Sequence, residues 1–234
     1  MNISKELNLL NQKIIYDLIK FTTTDYEGHL SCVLWFIGCN FRCLYCYNED
    51  IVFAKEGNYS SIDILKFLKS RVGLLDAVVL CGGEATIHNL VPICKEIKKL
   101  GFKIKLDTNG TNLRLIKELI DSKLIDYIAF DFKALEDNFF KIIQSYAYKK
   151  VIETLRYLIK IDFDFELRTT INTNLLDEKD INEMINIISS LGYKKTYYLQ
   201  NFLETSSNIG DIKKGRDINK KLIDSKNLVI KYRN

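Results

Sequence analysis

Gly38-Cys-Asn-Phe-Arg-Cys-Leu-Tyr-Cys-Tyr-Asn48 carries three cysteines, Cys39, Cys43 and Cys46, in the spacing Cys-x3-Cys-x2-Cys. Three thiolates so close in sequence can converge on one soft metal centre. The number is informative, because a closed structural zinc site needs four ligands and an electron-transfer iron–sulfur cluster is held by four cysteines. A cluster with three protein ligands keeps one iron open for a substrate. The competing reading is a zinc site completed by a distant residue. The chain has only two histidines, His29 and His88, so a fourth zinc ligand is not obvious.

The cysteine loop follows Val33–Phe36, which reads as a buried strand, and a regular alternation starts there. Ser60 or Ser61 can cap a helix carrying Ile62, Leu65 and Leu68. Ala77–Leu80 is a second apolar strand, ended by Gly82-Gly83. Leu90, Ile93, Ile97 and Leu100 mark one face of the next helix, which Gly101 stops. Strands at Phe102–Leu106 and Tyr127–Phe130 flank a helix marked by Leu113, Ile116 and Ile120. Helix 149–160, strand 165–170, helix 178–190 and strand 196–200 follow. Such β-α alternation implies a parallel sheet with helical crossovers. About six repeats are too few for a complete eight-stranded barrel. The expectation is an α/β fold, an open, partial (β/α)6 barrel. Residues 203–216 read as a polar, mobile loop, followed by a helix at 217–224 and a short edge strand at 228–232.

At 234 residues the chain suits a single domain of residues 1–234, with a core at about 20–200 and a C-terminal extension at 201–234. No Pro-, Gly- or Ser-rich linker divides it, and Pro92 is its one proline. A 47% hydrophobic content allows a substantial core, and a distributed charged fraction of 27% argues against extensive disorder. The net charge of +4 is too mild to indicate a nucleic-acid partner. The N-terminus lacks a secretory signal pattern, and the apolar run Cys32–Ile37 is far too short to span a bilayer. A cytoplasmic location with reduced thiols and no membrane partner is expected.

Polar residues collect at the expected strand ends: Glu84 after the second strand, Asp107 on the third, Asp131 on the fourth. In a parallel barrel all three open on the C-terminal face, as does the cysteine loop. The plainer alternative is that some of these carboxylates cap the helices that follow.

The cysteine spacing, with the aromatic Tyr45 before the last cysteine, resembles the signature of the radical S-adenosylmethionine (SAM) enzymes, and the resemblance covers roughly residues 20–200. It implies a 4Fe-4S cluster on Cys39, Cys43 and Cys46 whose open iron chelates SAM, with Tyr45 near the adenine. Cys81-Gly82-Gly83-Glu84 resembles the segment that receives the amino end of SAM. Cys81 replaces a more familiar Ser or Thr and reads as a wall residue, and Ala85-Thr86 stand where a proline is usual. Asp107-Thr108-Asn109-Gly110 and Asp131-Phe132-Lys133 are similar to segments of the glycyl-radical-enzyme activases. There the Asp and Lys positions help hold SAM, sometimes with a monovalent cation, and Lys133 could pair with the SAM carboxylate. Asn109 and Gly110 could equally form a structural turn. Arg168 matches a position near the SAM carboxylate or is a core arginine with a partner. Gln200 stands where pyruvate formate-lyase activases tend to have histidine.

Residues 21–48, 106–110 and 198–200 resemble most the short activating proteins of anaerobic ribonucleoside-triphosphate reductase, although Glu49 replaces a common proline. No second cysteine-rich insert follows, unlike activases with extra ferredoxin-like clusters. The resemblance implies reductive cleavage of SAM to a 5′-deoxyadenosyl radical that takes hydrogen from a glycine of the reductase. It implies a flavodoxin- or ferredoxin-type electron donor and no catalytic residue beyond the cluster and SAM. A pyruvate formate-lyase-type activase, a small-molecule enzyme resembling the 7-carboxy-7-deazaguanine synthases, and a non-catalytic redox or metal-binding module are the alternatives. The last would not need Gly82-Gly83-Glu84 and Asp131-Phe132-Lys133 together.

Overall fold

Ser31–Phe36 is buried along nearly its whole length, as a strand covered on both faces must be, and it organises the first of two units. The computed structural model describes residues 3–233; residues 1 and 2 and Asn234 lie outside them. One unit comprises residues 1–40, 50–108 and 112–128, the other 41–49, 109–111 and 129–234. Within each unit strand order follows chain order, and the expected α/β class holds.

The first unit carries α1 (Ile3–Asn11), β1 (Ile15–Thr22), β2 (Ser31–Phe36), most of α2 (Glu49–Phe53), α3 (Ser61–Lys69), β3 (Ala77–Gly82), α4 (Val91–Lys99), β4 (Lys103–Thr108), α5 (Leu113–Asp121) and the start of β5 (Tyr127–Asp131). β1, which the sequence reading passed over, runs antiparallel to β2, whereas β2–β3 and β3–β4 are parallel. Side chains alternate across these strands. Val33, Ala77 and Val79 gather with Tyr26 on one face, joined by Trp35, Cys81 and Tyr127. Leu34, Phe36, Leu80, Ile104 and Leu106 alternate with them and are fully buried. Ser60 caps α3 in a reciprocal box with Asp63, its Oγ accepting from the Asp63 N–H at 3.2 Å and its own N–H donating to Asp63 Oδ2 at 3.0 Å. The buried face of α3 is Ser61, Ile64 and Leu68, so the expected stripe of Ile62, Leu65 and Leu68 is rotated, leaving Ile62 and Leu65 at its margin.

The second unit holds the rest of β5, α6 (Glu136–Ile143), α7 (Tyr148–Lys160), β6 (Phe165–Ile171), α8 (Glu178–Ser190), β7 (Thr196–Asn201) and β8 (Val229–Arg233). β6, β7 and β8 are parallel. The expected edge strand is β8. The expected helix at 217–224 is only a 3-10 turn at Lys220–Leu222. Side chains of α8 take the place of helical bonds there: Asn219 N–H donates to Glu178 Oε1 at 2.6 Å, Asn182 Nδ2 to Leu222 O at 2.8 Å, and Asp224 N–H to Asn182 Oδ1 at 2.9 Å. The 203–216 loop has no regular element, yet it is tied down rather than hanging free. Asn172 Nδ2 donates to Lys213 O at 3.0 Å, Thr173 Oγ1 to Arg216 O at 2.6 Å, and the Arg216 fork grips both oxygens of Glu178 at 2.6 Å.

Arg216 and the Asn219 N–H hold the Glu178 carboxyl down at about 2, below the ordinary 4.5. A carboxylate depressed by folding stabilises the folded state above its unfolded pKa and loses that effect as pH falls through the folded one. Stability should therefore drop between about pH 4.5 and about 2. Acid titrations of unfolding are expected to show a shallower loss for Glu178→Gln in that window, together with a lower melting temperature at pH 7. Identical curves for the two proteins would show that this link contributes nothing.

Candidate active site

In the first unit the backbone of Gly82, Gly83 and Glu84 lies directly against the start of the cysteine loop. Gly83 N–H donates to Phe36 O at 2.9 Å and Glu84 N–H to Gly38 O at 2.8 Å. Gly82 has φ +115°, and a side-chain carbon there would run into the Phe36 backbone. At Gly83 it would run into the Gly38 carbonyl and reach within 3.4 Å of Cys39 Cβ. The glycines thus have a reason inside the chain: they let β3 and its turn seat Gly38-Cys39.

Glu84 is 2% exposed, and its Oε1 accepts from Thr86 N at 3.2 Å, Thr86 Oγ1 at 2.5 Å and Thr108 Oγ1 at 2.7 Å. It caps the 3-10 turn Ala85–Ile87, so for this carboxylate the capping alternative describes its bonds. Thr86 and Thr108 are partners of Glu84 that the sequence reading did not single out. Thr86 was visible only as a departure from the usual proline. Asp107 lies with its Oδ1 3.0 Å from the Nζ of Lys105, itself buried, which also donates to Asp25 O at 2.5 Å. Lys105 had a signal in the period-2 pattern of β4, which puts residues 105 and 107 on one face.

In the second unit Cys43, Tyr45, Cys46, Asp131, Lys133 and Arg168 form one electrostatic neighbourhood. Arg42 and Leu44 donate their N–H groups to Ile143 O at 3.0 Å and Ile142 O at 2.9 Å, which binds the cysteine loop to the end of α6. Cys46 N–H closes a turn onto Cys43 O at 3.0 Å. Burial pushes the Cys43 thiol up to about 11, with the Lys133 ammonium pulling the other way. The Tyr45 hydroxyl is near enough to Cys43 to favour its thiolate, yet it meets no partner at full hydrogen-bond geometry among the described residues. Burial drives its pKa well above the ordinary tyrosine value. Asp131 Oδ1 accepts from Arg168 Nε at 2.9 Å and Oδ2 from Lys133 Nζ at 3.2 Å. Burial would raise this carboxyl, but Arg168 and Lys133 outweigh it and hold the group below the ordinary aspartate value. Arg168 is therefore a half-buried arginine with a partner, in contact with a second residue of the predicted set.

Asn109 and Gly110 make a turn. Asn109 Oδ1 accepts from Thr111 N at 3.1 Å and Thr111 Oγ1 at 2.7 Å, and Gly110, at φ +76°, leaves no room for a side-chain carbon against the Phe130 ring. Among the described residues no set of three His, Cys, Asp or Glu side chains stands together as around an ion. The cluster assignment rests on the chemistry and spacing of the cysteines. Cys32 and Cys94 are fully buried, and burial pushes both thiols to about 12.

Only the thiolate is nucleophilic. Iodoacetamide at pH 8, followed by peptide mass spectrometry of the metal-free protein, should therefore leave Cys32 and Cys94 unmodified until denaturant is added. Cys39 and Cys46, both partly exposed, should react before the buried Cys43. Prompt modification of Cys94 in the native protein would contradict this burial.

Residues 33–191, more than half of the chain, match the family described as the Radical SAM superfamily. A Methanocaldococcus jannaschii protein named as a glycyl-radical enzyme activating enzyme is 30% identical over 178 residues, 73% of this chain and 73% of its own length. The pyruvate formate-lyase-activating enzyme of Clostridium pasteurianum is 28% identical over 76% of both chains. Among solved structures, SuiB of Streptococcus suis bound to S-adenosylmethionine is similar with a TM-score of 0.64 at 16% identity, over 77% of this chain but only 42% of SuiB. QueE from Escherichia coli is similar with a TM-score of 0.54 at 17% identity, over 86% of this chain and 89% of its own. At these identities the structural likenesses concern the fold alone, in keeping with the α/β class expected from the β-α alternation. No helix among the described residues is long and apolar enough to cross a membrane. The chain belongs to the radical SAM superfamily, whose enzymes use a 4Fe-4S cluster and S-adenosylmethionine, and within it to the glycyl-radical enzyme activating enzymes.

Proposed function

We propose that this chain, acting as a single domain, activates an anaerobic ribonucleotide reductase by generating a glycyl radical in it. The observation that carries the site assignment is the grouping, inside one unit, of Cys43, Tyr45 and Cys46 with Asp131, Lys133 and Arg168. The residues fit the cofactors. Thiols suit iron–sulfur ligation, and the buried Tyr45 hydroxyl lacks a full partner. Cys39, Cys43 and Cys46 would hold the cluster, and Tyr45, Gly82, Gly83, Glu84, Asp107, Asn109, Asp131, Lys133 and Arg168 would surround SAM. When bound, the cluster supplies one electron to SAM, whose cleavage yields the radical that takes a hydrogen atom from a glycine Cα of the partner.

The chain's own residues bind, orient and exclude water. Lys133 presents an ammonium beside the cysteine loop, suited to a carboxylate. Arg168 keeps Asp131 ionised, and Asp131 in turn fixes Lys133 by a contact of 3.2 Å. Glu84, held by Thr86 and Thr108, places a buried carboxyl group at the end of β3, suited to an ammonium. Electrons would come from a flavodoxin- or ferredoxin-type donor.

The choice of reductase is supported by the single cysteine motif and by the resemblance of residues 21–48, 106–110 and 198–200. A pyruvate formate-lyase partner is the second reading, favoured by the likeness to the Clostridium pasteurianum enzyme. Reduced protein, SAM and either partner from the same cell are to be mixed without oxygen and followed by electron paramagnetic resonance. A glycyl doublet on the reductase alone is expected; a doublet on the lyase alone would favour the second reading. No radical on either, with a small deazapurine precursor converted instead, would falsify the activase role.

Lys133→Ala should leave iron content close to that of the parent but weaken SAM binding. One lost charge-assisted hydrogen bond is worth about 1.5–3 kcal/mol, roughly a tenfold to hundredfold loss of affinity. Unchanged SAM affinity by calorimetry would remove Lys133 from the site.

A further inference from the structure

The residues of the 203–217 segment bury little apolar surface, yet the segment is ordered by hydrogen bonds along its length. Of its side chains only Asn208 is buried, at 9% exposure. Ordering a polar segment costs backbone entropy that no core burial offsets here. Its bonds are made to one place in particular. Ile209 N–H donates to Cys46 O at 3.0 Å, and Gly210 N–H donates to Leu44 O at 2.8 Å. On the far side of the same loop, Leu44 N–H is taken by Ile142 O at 2.9 Å. Leu44, which stands between Cys43 and Cys46, thus has both backbone groups claimed, one by α6 and one by this segment.

The approach is too close for anything but glycine. A side-chain carbon at Gly210 would lie 2.7 Å from Leu44 Cβ, 2.9 Å from Leu44 O and 3.0 Å from Leu44 Cα. Asn208 fixes the turn that presents these N–H groups: its Nδ2 donates to Ile212 O at 2.9 Å, and its Oδ1 accepts from Ile212 N–H at 2.7 Å. Asn172, Thr173 and Glu178 then anchor residues 213–216.

We propose that Asn208-Ile209-Gly210 is a strap that positions Leu44, and through it Cys43 and Cys46, for cluster ligation. Gly210 and Asn208 are positioning residues. The inference rests on the assignment of these cysteines as cluster ligands. A strap of this kind restricts the loop before iron arrives and limits its movement afterwards.

The test uses the full chain, with Gly210→Ala, Asn208→Ala and Asn208→Asp, which keeps the Oδ1 acceptor. In the metal-free protein the iodoacetamide rate at Cys43, which is buried in the closed loop, reads how often the loop opens. Each lost hydrogen bond should raise it about fivefold, with Asn208→Asp between the parent and Asn208→Ala. After anaerobic reconstitution, Gly210→Ala should shift or broaden the resonance of the reduced cluster and alter its response to SAM. Circular dichroism and thermal unfolding check that the fold persists; should Gly210→Ala fail to fold, Asn208→Ala carries the test. Parent-like alkylation and a parent-like cluster resonance in folded Gly210→Ala or Asn208→Ala would overturn the strap. Failure of the parent itself to assemble a cluster would instead overturn the ligand assignment, while the alkylation rates would still report on the strap.

Discussion

Asp131 keeps its charge in a part-buried place because two cations touch it, and much of the second unit is arranged around that fact. Burial alone would push the carboxyl toward its neutral form, and Arg168 and Lys133 together reverse the balance. Arg168 comes from β6, and its carbonyl also receives the Phe132 N–H at 2.9 Å, so the end of β5 is tied to β6 by backbone and side chain at once. Lys133 is the principal group opposing burial at Cys43. Asp131 acts on Cys43 in the opposite sense. Both members of this ion pair therefore contribute to the field at the thiol, and removing either changes that field as well as the contact.

The two units use different means to hold their parts of the motif. In the first, backbone does it: Gly82 and Gly83 admit the chain at Phe36 and Gly38 with no room for a side chain, and Glu84 is fixed by two threonine hydroxyls. In the second, the cysteine loop is hydrogen-bonded on one edge by α6 and on the other by the strap, with the Asp131 ion pairs beside it. Both arrangements are fixed by contacts within the chain itself, which suits chemistry in which the protein contributes orientation and shelter.

The strands at residues 31–36, 77–82, 103–108, 127–131, 165–171 and 196–201 were legible because buried parallel strands read as apolar runs between helical patterns. β1 was not, since its burial pattern is mostly intermediate or exposed, and an edge strand half open to water carries a weak signal. The 217–224 stretch has helical composition, but Glu178 and Asn182 offer its backbone better partners than a helix would. The 203–216 loop looked loose because its order comes from bonds to distant residues, which no local pattern records. Of the proposed site, the cysteines stood out by their spacing and Glu84, Asp107 and Asp131 by their places at strand ends, while the glycines, Lys133 and Arg168 came from the family resemblance. The buried Lys105 beside Asp107, the hydroxyls on Glu84 and the strap over Leu44 depend on tertiary approach.

The account stands or falls on where the hydrogen atom goes. The proposed partner, the reductase, can be prepared with glycine deuterated at Cα and mixed with reduced protein and SAM, and the 5′-deoxyadenosine can then be weighed by mass spectrometry. An activase transfers one deuterium into the nucleoside for each glycyl radical formed, and this is the predicted result. A glycyl radical accompanied by 5′-deoxyadenosine without deuterium would contradict direct abstraction from the glycine, and with it the central claim.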